Sequence, residues 1–413
     1  MNNKSKLISS VVFLSVFIML VSCGPKQERI ERYLENGVEV VVNPLEPHSF
    51  EGEPSTLHLE EEFVIDINTD ELEKMGLKDI WQFDIDSENN IYLAGSPPNA
   101  RQIFKFDQNG NFIKAFTKKD RNTGEFSWLL HMRIAKNDDI VVVEGSDSEK
   151  ILFFDSEGEL VKEISRSLIK EIPTGIPNEK PRNSMLWDVC PLDNGNYLIL
   201  KSLNYYTVLD HYSPLILCDS EWKEFKELDS HKIPGFSSEK VKRIKGIFPR
   251  FSWSISQNQI YVGNDERDYE IHVYDLEGQL VRKIRKEHRP VQVTTEFREK
   301  ILTLFKNAPW RWKIYFPDDF PAFQYLFSDD EGRLFVMTYE LSQNGEGYIY
   351  DVFNAEGIFI CRMSLGNYGV PDYFDIGSEG PLQVKARRNR LYCNRMKRNG
   401  QNELVVYKMI WSR

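Results

Sequence analysis

A twelve-residue pattern recurs along the chain and limits the folds open to it. "KFDQNGNFIKAF" (105–116), "FFDSEGELVKEI" (153–164), "VYDLEGQLVRKI" (273–284) and "VFNAEGIFICRM" (352–363) each read as strand, polar turn, strand. "LCDSEWKEFKEL" (217–228) repeats the pattern with Trp222 in the glycine position. Asp or Asn caps such a turn through its own side chain, and Gly accepts the positive φ that closes it. Asp107/Gly110, Asp155/Gly158, Asp275/Gly278 and Asn354/Gly357 fill these roles.

A second strand–turn–strand motif accompanies each copy. It reads "FDIDSENNIYLA" (83–94), "RIAKNDDIVVVE" (133–144), "VCPLDNGNYLIL" (189–200), "SWSISQNQIYVG" (252–263), "LFSDDEGRLFVM" (326–337) and "VKARRNRLYCN" (384–394). There are thus six first hairpins and five second ones. The sixth second hairpin has one strand, "ELVVYKMIW" (403–411), while the strand-like "LHLEEEFVIDI" (57–67) stands unpaired ahead of the first repeat. These complementary deficits predict an all-β fold, a six-bladed β-propeller of four-stranded blades. The N-terminal strand completes the C-terminal blade, which leaves no open edge between first and last blades.

Residues 1–22 read as a secretory signal: "MNNKSK" supplies lysines and "LISSVVFLSVFIMLVS" (7–22) an apolar run short for a membrane span. "LVSC" (20–23) resembles the bacterial lipobox, which implies cleavage before Cys23 and acylation of that residue by palmitate-type chains. The membrane is then a partner through the lipid, and the expected address is the bacterial cell envelope, at the outer membrane. Residues 23–56 read as lipidated Cys, tether and a small hairpin, signalled by Asn36-Gly37 in "RYLENGVEVVVNP" (32–44), either free or docked. Residues 57–413 are the propeller. Cys190, Cys218, Cys361 and Cys393 sit in apolar strand-like runs and read as buried thiols, although export permits a disulfide. A net charge of −11 argues against a nucleic-acid partner.

Over residues 57–413 the chain resembles the bacterial six-bladed β-propeller lipoproteins related to NHL-repeat and TolB-like propellers. The paired motifs "DxxxNIYL" and "FDxxGxFIKxF", the run "FPAFQYLFSDDEGRLFV" (320–336) and the lipobox carry the likeness. It implies architecture and says little about function, because such folds host unrelated activities. Related lactonases and lyases hold a metal at the channel mouth with Glu, Asp and Asn. Asp84, His131 and Asp188 could contribute here, without a matching Glu/Asn set.

The turns within hairpins are short, whereas the long connections, 165–186, 202–215, 229–250 and 285–322, all fall at the opposite face. Long connections on a rigid scaffold are where binding usually resides. In the 285–322 connection, Phe297, Ile301, Leu304 and Phe305 predict a helix over 294–306 with one apolar side. Aligning the innermost strands gives a polar set, Gln82, Asp84, His131, Arg133, Asp188 and Ser252, flanked by Trp81 and Trp187. Converging polar groups in a concavity are the usual form of a ligand site. A hydrated channel with charge pairs such as Asp84–Arg133 is the plainer alternative. Their alternating partners Phe83, Ile85, Met132, Ile134, Val189, Trp253 and Ile255 are expected between blades.

Arg250, Trp310 and Trp312 are candidate contacts on the elaborated face, where the basic runs 240–250 and 282–289 could attract anions. "DIDSENN" (84–90) lacks the Gly and Glu of a calcium loop and reads as a turn. No H-E-x-x-H, G-x-S-x-G, P-loop or zinc-type spacing is present. The expectation is therefore an exported binding module with no assigned chemistry, cofactor or metal. Its ligand would be a small molecule, a glycan or an envelope protein, bound on the elaborated face around the channel mouth. The alternatives are a metal-dependent lactonase- or lyase-like propeller and a structural or sensing subunit of an envelope complex.

Overall fold

A computed structural model describes residues 30–48, 54, 56–96, 101–117, 129–145, 149–173, 181, 183–204, 211–233, 243–247, 251–343, 347–365, 384–397 and 402–412. The signal segment, Cys23 and Arg250 lie outside the described residues. The described chain opens with a hairpin, β1 (Glu31–Glu35) and β2 (Val38–Asn43), followed by β3 (Thr56–Asp66) and the short helix α1 (Asp70–Lys74). Blade 1 is β4 (Gln82–Ile85), β5 (Ile91–Ala94), β6 (Ile103–Phe106) and β7 (Phe112–Phe116). Blade 2 is β8 (Leu129–Ile134), β9 (Ile140–Glu144), β10 (Lys150–Phe154) and β11 (Leu160–Ser165). Blade 3 is β12 (Asn183–Pro191), β13 (Tyr197–Asn204), β14 (His211–Cys218) and β15 (Glu224–Ile233).

After the two-residue strand β16 (Ile244–Lys245), blade 4 runs β17 (Phe251–Ser256), β18 (Gln259–Asn264), β19 (Glu270–Asp275) and β20 (Leu280–Lys286). Helix α2 (Thr295–Leu304) and β21 (Ile314–Tyr315) lead to blade 5: β22 (Tyr325–Ser328), β23 (Leu334–Leu341), β24 (Tyr348–Phe353) and β25 (Phe359–Ser364). Blade 6 is β26 (Val384–Arg387), β27 (Arg390–Met396) and β28 (Asn402–Ser412), completed by β3 from the other end of the chain. β3 pairs antiparallel with β28 from Asp66↔Glu403 to Thr56↔Ser412, which closes the six-bladed ring as expected.

Each interface between neighbouring blades holds its own apolar cluster, because a blade buries both faces. In β5, Ile91 and Leu93 pack toward blade 6 with Tyr392, Leu404 and Val406, while Tyr92 and Ala94 pack toward blade 2 with Met132, Ile140 and Val142. The strands therefore read as continuous apolar runs although successive side chains point to opposite faces. The recurring turn works as the sequence suggests. Asp107 Oδ1 accepts from Asn109 N and Asn111 N at 2.9 and 2.8 Å, and Asp155, Asp219, Asp275 and Asn354 repeat the arrangement.

Gly158 shows why the turn needs glycine. Its φ is +77°, and a Cβ there would sit 2.5 Å from the Phe116 ring of blade 1. Trp222 takes the same backbone conformation at φ 63°. Its buried indole stacks on Tyr197 at 4.3 Å and meets the edge of Phe153 at 6.0 Å, filling the seam between blades 2 and 3.

The β1–β2 hairpin is docked. Asn36 and Gly37 supply the two positive φ angles of its turn, and β2 pairs in parallel with β20, extending blade 4 to six strands. Here the basic run 282–289 finds its partners. Arg285 and Lys283 pair with Glu35, and Arg282 with Glu39 at 2.7 Å. Arg282, Lys283, Arg285 and Lys286 are thus paired within the fold, and of the run's Lys and Arg residues Arg289 alone stands exposed, 3.8 Å from Glu46. Helix α2, capped by Thr294, packs Phe297, Ile301 and Phe305 onto Tyr339 of blade 5. Leu304, expected on that apolar side, is exposed instead.

Candidate functional site

The innermost strands β4, β8, β12, β17, β22 and β26 surround a central cavity of about 630 Å³. Aligned on their hairpin turns, they present inward side chains in two tiers. The tier nearer the long connections holds Gln82, His131, Asp188, Ser252 and Tyr325, and the next holds Asp84, Arg133, Cys190, Ser254, Phe327 and Lys385. The register shifts at Leu129/His131 in β8 and at Leu186/Asp188 in β12. Bulges of this kind re-aim side chains next to sites.

The sequence-predicted polar set is thus brought together, with Trp187 beside it. Phe83, Ile85, Met132 and Val189 are buried in inter-blade clusters, as their alternation requires. Trp81 stands outside the lining and directs its indole N–H at Leu130 O, 3.4 Å away. Trp310 packs on Phe305 and Trp312 is solvent-exposed; neither lines the cavity.

The charges pair differently from the Asp84–Arg133 expectation. Arg133 forks onto Asp188, with 2.6 Å to Oδ2 and 3.3 Å to Oδ1, and its guanidinium lies 4.9 Å from the Trp253 ring centre. Asp84 instead receives Lys385 Nζ at 2.7 Å and the Ile134 and Ile85 backbone N–H groups at 2.9 Å each. His131 Nδ1 lies 2.8 Å from Asp188 Oδ1, at the distance of an ion pair but without hydrogen-bond alignment. Gln82 bridges blades 1 and 2, accepting from Met132 N at 2.8 Å and donating to Leu130 O at 3.0 Å. Ser252 Oγ has no hydrogen-bond partner in this structure.

Burial alone would raise the Asp188 carboxyl, but Arg133 and then His131 outweigh it and hold it well below the usual carboxylate range. Asp84 is likewise lowered against burial, by Lys385 and Arg133. Burial pulls Lys385 and His131 down, opposed by Asp84 and Asp188 respectively. The Cys190 thiol is pushed up to about 12 by burial, so it is not an activated nucleophile.

These residues fit a metal poorly. Each carboxylate already has a cation on it, and among the described residues no three His, Cys, Asp or Glu side chains converge as a ligand set. In each of the two pairs the cation is the more exposed partner. Arg133 and Lys385 are 23% and 29% exposed, whereas Asp188 behind them is 3%. Exposure rises further toward the hairpin turns, with Lys136 at 77%. The cavity lining continues to the hairpin turns, where Lys136, Gln257 and Asn258 border it.

Lys385 and Tyr325 were not singled out by sequence. The equivalence of "VKARRNRLYCN" to the other first hairpins puts Lys385 level with Asp84 and could have found it. The four cysteines in the described residues are unpaired, as read from sequence.

No family model and no curated protein matches the chain. Among solved structures, it is similar to a protein from Bacteroides fragilis NCTC 9343 described as exported, at 11% identity and TM-score 0.49, covering 90% of this chain and 100% of that one. It is also similar to a member of the duf4221 family from Bacteroides vulgatus atcc 8482, at 13% identity and TM-score 0.47, covering 87% of this chain and 100% of that one. A third is a protein of unknown function from Bacteroides caccae, at 13% identity and TM-score 0.34, covering 68% and 80% of the two chains.

Proposed function

We propose that this propeller is an exported, lipid-anchored binding module of the cell envelope, held through Cys23, that takes a small organic anion in its central channel. The observation that carries the reading is the pair of cations on the cavity wall. Arg133 sits over the Trp253 ring with a carboxylate behind it, and Lys385 is held by Asp84. Both retain N–H groups beyond those used by Asp188 and Asp84. A ligand carboxylate seated there would gain charge-assisted hydrogen bonds, and Trp253 and Phe327 would cover an apolar body. In this reading the ligand enters past the hairpin turns, where Lys136 is 77% exposed, and the elaborated face expected from loop length is the alternative route. The lactonase-like alternative is disfavoured because using Asp84 or Asp188 as a metal ligand would first strip each buried carboxylate from its cation, at up to about 3–5 kcal/mol.

The test is a thermal-shift screen of small organic carboxylates against neutral sugars. A carboxylate at a hundred times its Kd should stabilise by about 2.7 kcal/mol. Arg133→Lys keeps the charge but loses the fork, and should abolish most of that gain. No shift with any carboxylate, or an equal shift in Arg133→Lys, would count against the reading.

A further inference from the structure

We infer that the elaborated face carries a docking surface for an anionic phospholipid bilayer, formed by the outer part of the connection between blades 4 and 5. Two independent observations meet there. The first is chain direction. Strand β20 runs toward the long-connection end, β2 is parallel to it and β1 antiparallel to β2, so β1 begins at that end. Between Cys23 and Ile30 the backbone can reach roughly 25 Å when fully extended. If Cys23 is lipidated, the bilayer lies within that reach of the elaborated rim of blade 4. This half rests on the lipid-anchor reading above.

The second observation does not depend on the anchor. Residues 243–247 and 295–316 hold seven Lys or Arg against two Glu, in a chain of net charge −11. The exposed Asp318 and Asp319 follow, their backbone bridged to Val293 and Gln292, so the excess of positive charge lies in the part of the segment before them. At the outer part stands Trp312, 77% exposed, with Lys313 Nζ 5.2 Å from its ring, and Leu304 is also exposed. The surface is built rather than loose. β16 pairs in parallel with β21, Arg243 stacks on Tyr315 at 4.2 Å, and Phe297, Ile301 and Phe305 anchor the inner side on blade 5. An exposed indole with a lysine beside it, on a segment rich in Lys and Arg, suits the headgroup region, where amphipathic rings settle and each basic residue near an anionic surface adds attraction. With this face on the membrane, the tight-turn opening of the cavity looks into the aqueous compartment.

The experiment uses the chain from residue 24, which contains every described element and lacks the lipid, with tryptophan emission and co-sedimentation as readouts. It should bind mixed phosphatidylglycerol–phosphatidylethanolamine vesicles and not phosphatidylcholine vesicles, and the binding should fall with salt. Arg311→Glu with Lys313→Glu should weaken it at least about tenfold, since each cation counts for roughly fivefold. Trp312→Ser should remove the emission change. Lys136→Glu, at the opposite end, should leave binding unaltered. Equal binding to phosphatidylcholine, no binding to either vesicle, or an unaffected double variant overturns the proposal. Absence of acyl label on Cys23 in the full chain would refute the anchor alone and leave the vesicle result standing.

Discussion

At the level of single residues, opposing terms can be weighed. Trp222 occupies a backbone conformation that Gly would take without strain, which costs about 1–2 kcal/mol. Its indole fills a seam between Tyr197 and Phe153 whose loss would cost about 3–5 kcal/mol. Packing wins, so Trp222→Gly should lower stability by about 2 kcal/mol or more in urea unfolding, although it restores the repeat's consensus. A stabilised variant would refute this. His231 is buried against Phe251, both ring nitrogens lack a partner, and burial lowers it to about 4. Its folded state binds protons less readily than the unfolded chain. Its contribution is therefore complete above about pH 6.5 and lost as pH falls toward about 4, by up to roughly 3 kcal/mol. His131 shifts in the same direction. His231→Phe should flatten the fall in urea midpoint between about pH 7 and pH 4.5; an unchanged slope would contradict the assignment. Sequence made the Asx–Gly turns and the inward polar set legible, because both follow from local chemistry and the two-residue pleat. It could not pair Asp84 with Lys385, since that contact exists only once the ring has closed between blades 6 and 1.

Among the elements, the β1–β2 hairpin hinges on Asn43. It is fully buried, donates to Arg285 O at 3.1 Å and Gly357 O at 2.9 Å, and accepts from Phe359 N at 2.8 Å. Asn43→Ala orphans those groups and should cost about 2–3 kcal/mol locally. Hydrogen exchange should then rise in β1, β2 and β20 while β13 and β27 stay protected; uniform protection would show the clasp to be dispensable. The Asn36–Gly37 turn was readable in the sequence, but the docking was not. The basic run 282–289 looked like a surface feature because its partners Glu35 and Glu39 are more than 240 positions away. Leu304 misled for a related reason. Helical spacing places it beside Ile301, yet blade 5 supplies a surface only for Phe297, Ile301 and Phe305.

For the whole molecule, the ring architecture was legible because five hairpin pairs, a sixth first hairpin and one complementary strand at each end admit one closure. Which end of the channel opens was not. Loop length pointed to the elaborated face, whereas the proposed route runs past the exposed Lys136 at the hairpin turns. That direction depends on how long connections fold over the ring, which no repeat encodes. The central claim is a small anion between Arg133 and Lys385, entering from the tight turns. Its most direct measurement is a crystal structure of the chain soaked with a carboxylate that stabilises it. Ligand density against the Arg133 guanidinium and Lys385 Nζ is the predicted result. Density among residues 285–322 on the elaborated face, with the channel holding only water, would contradict it.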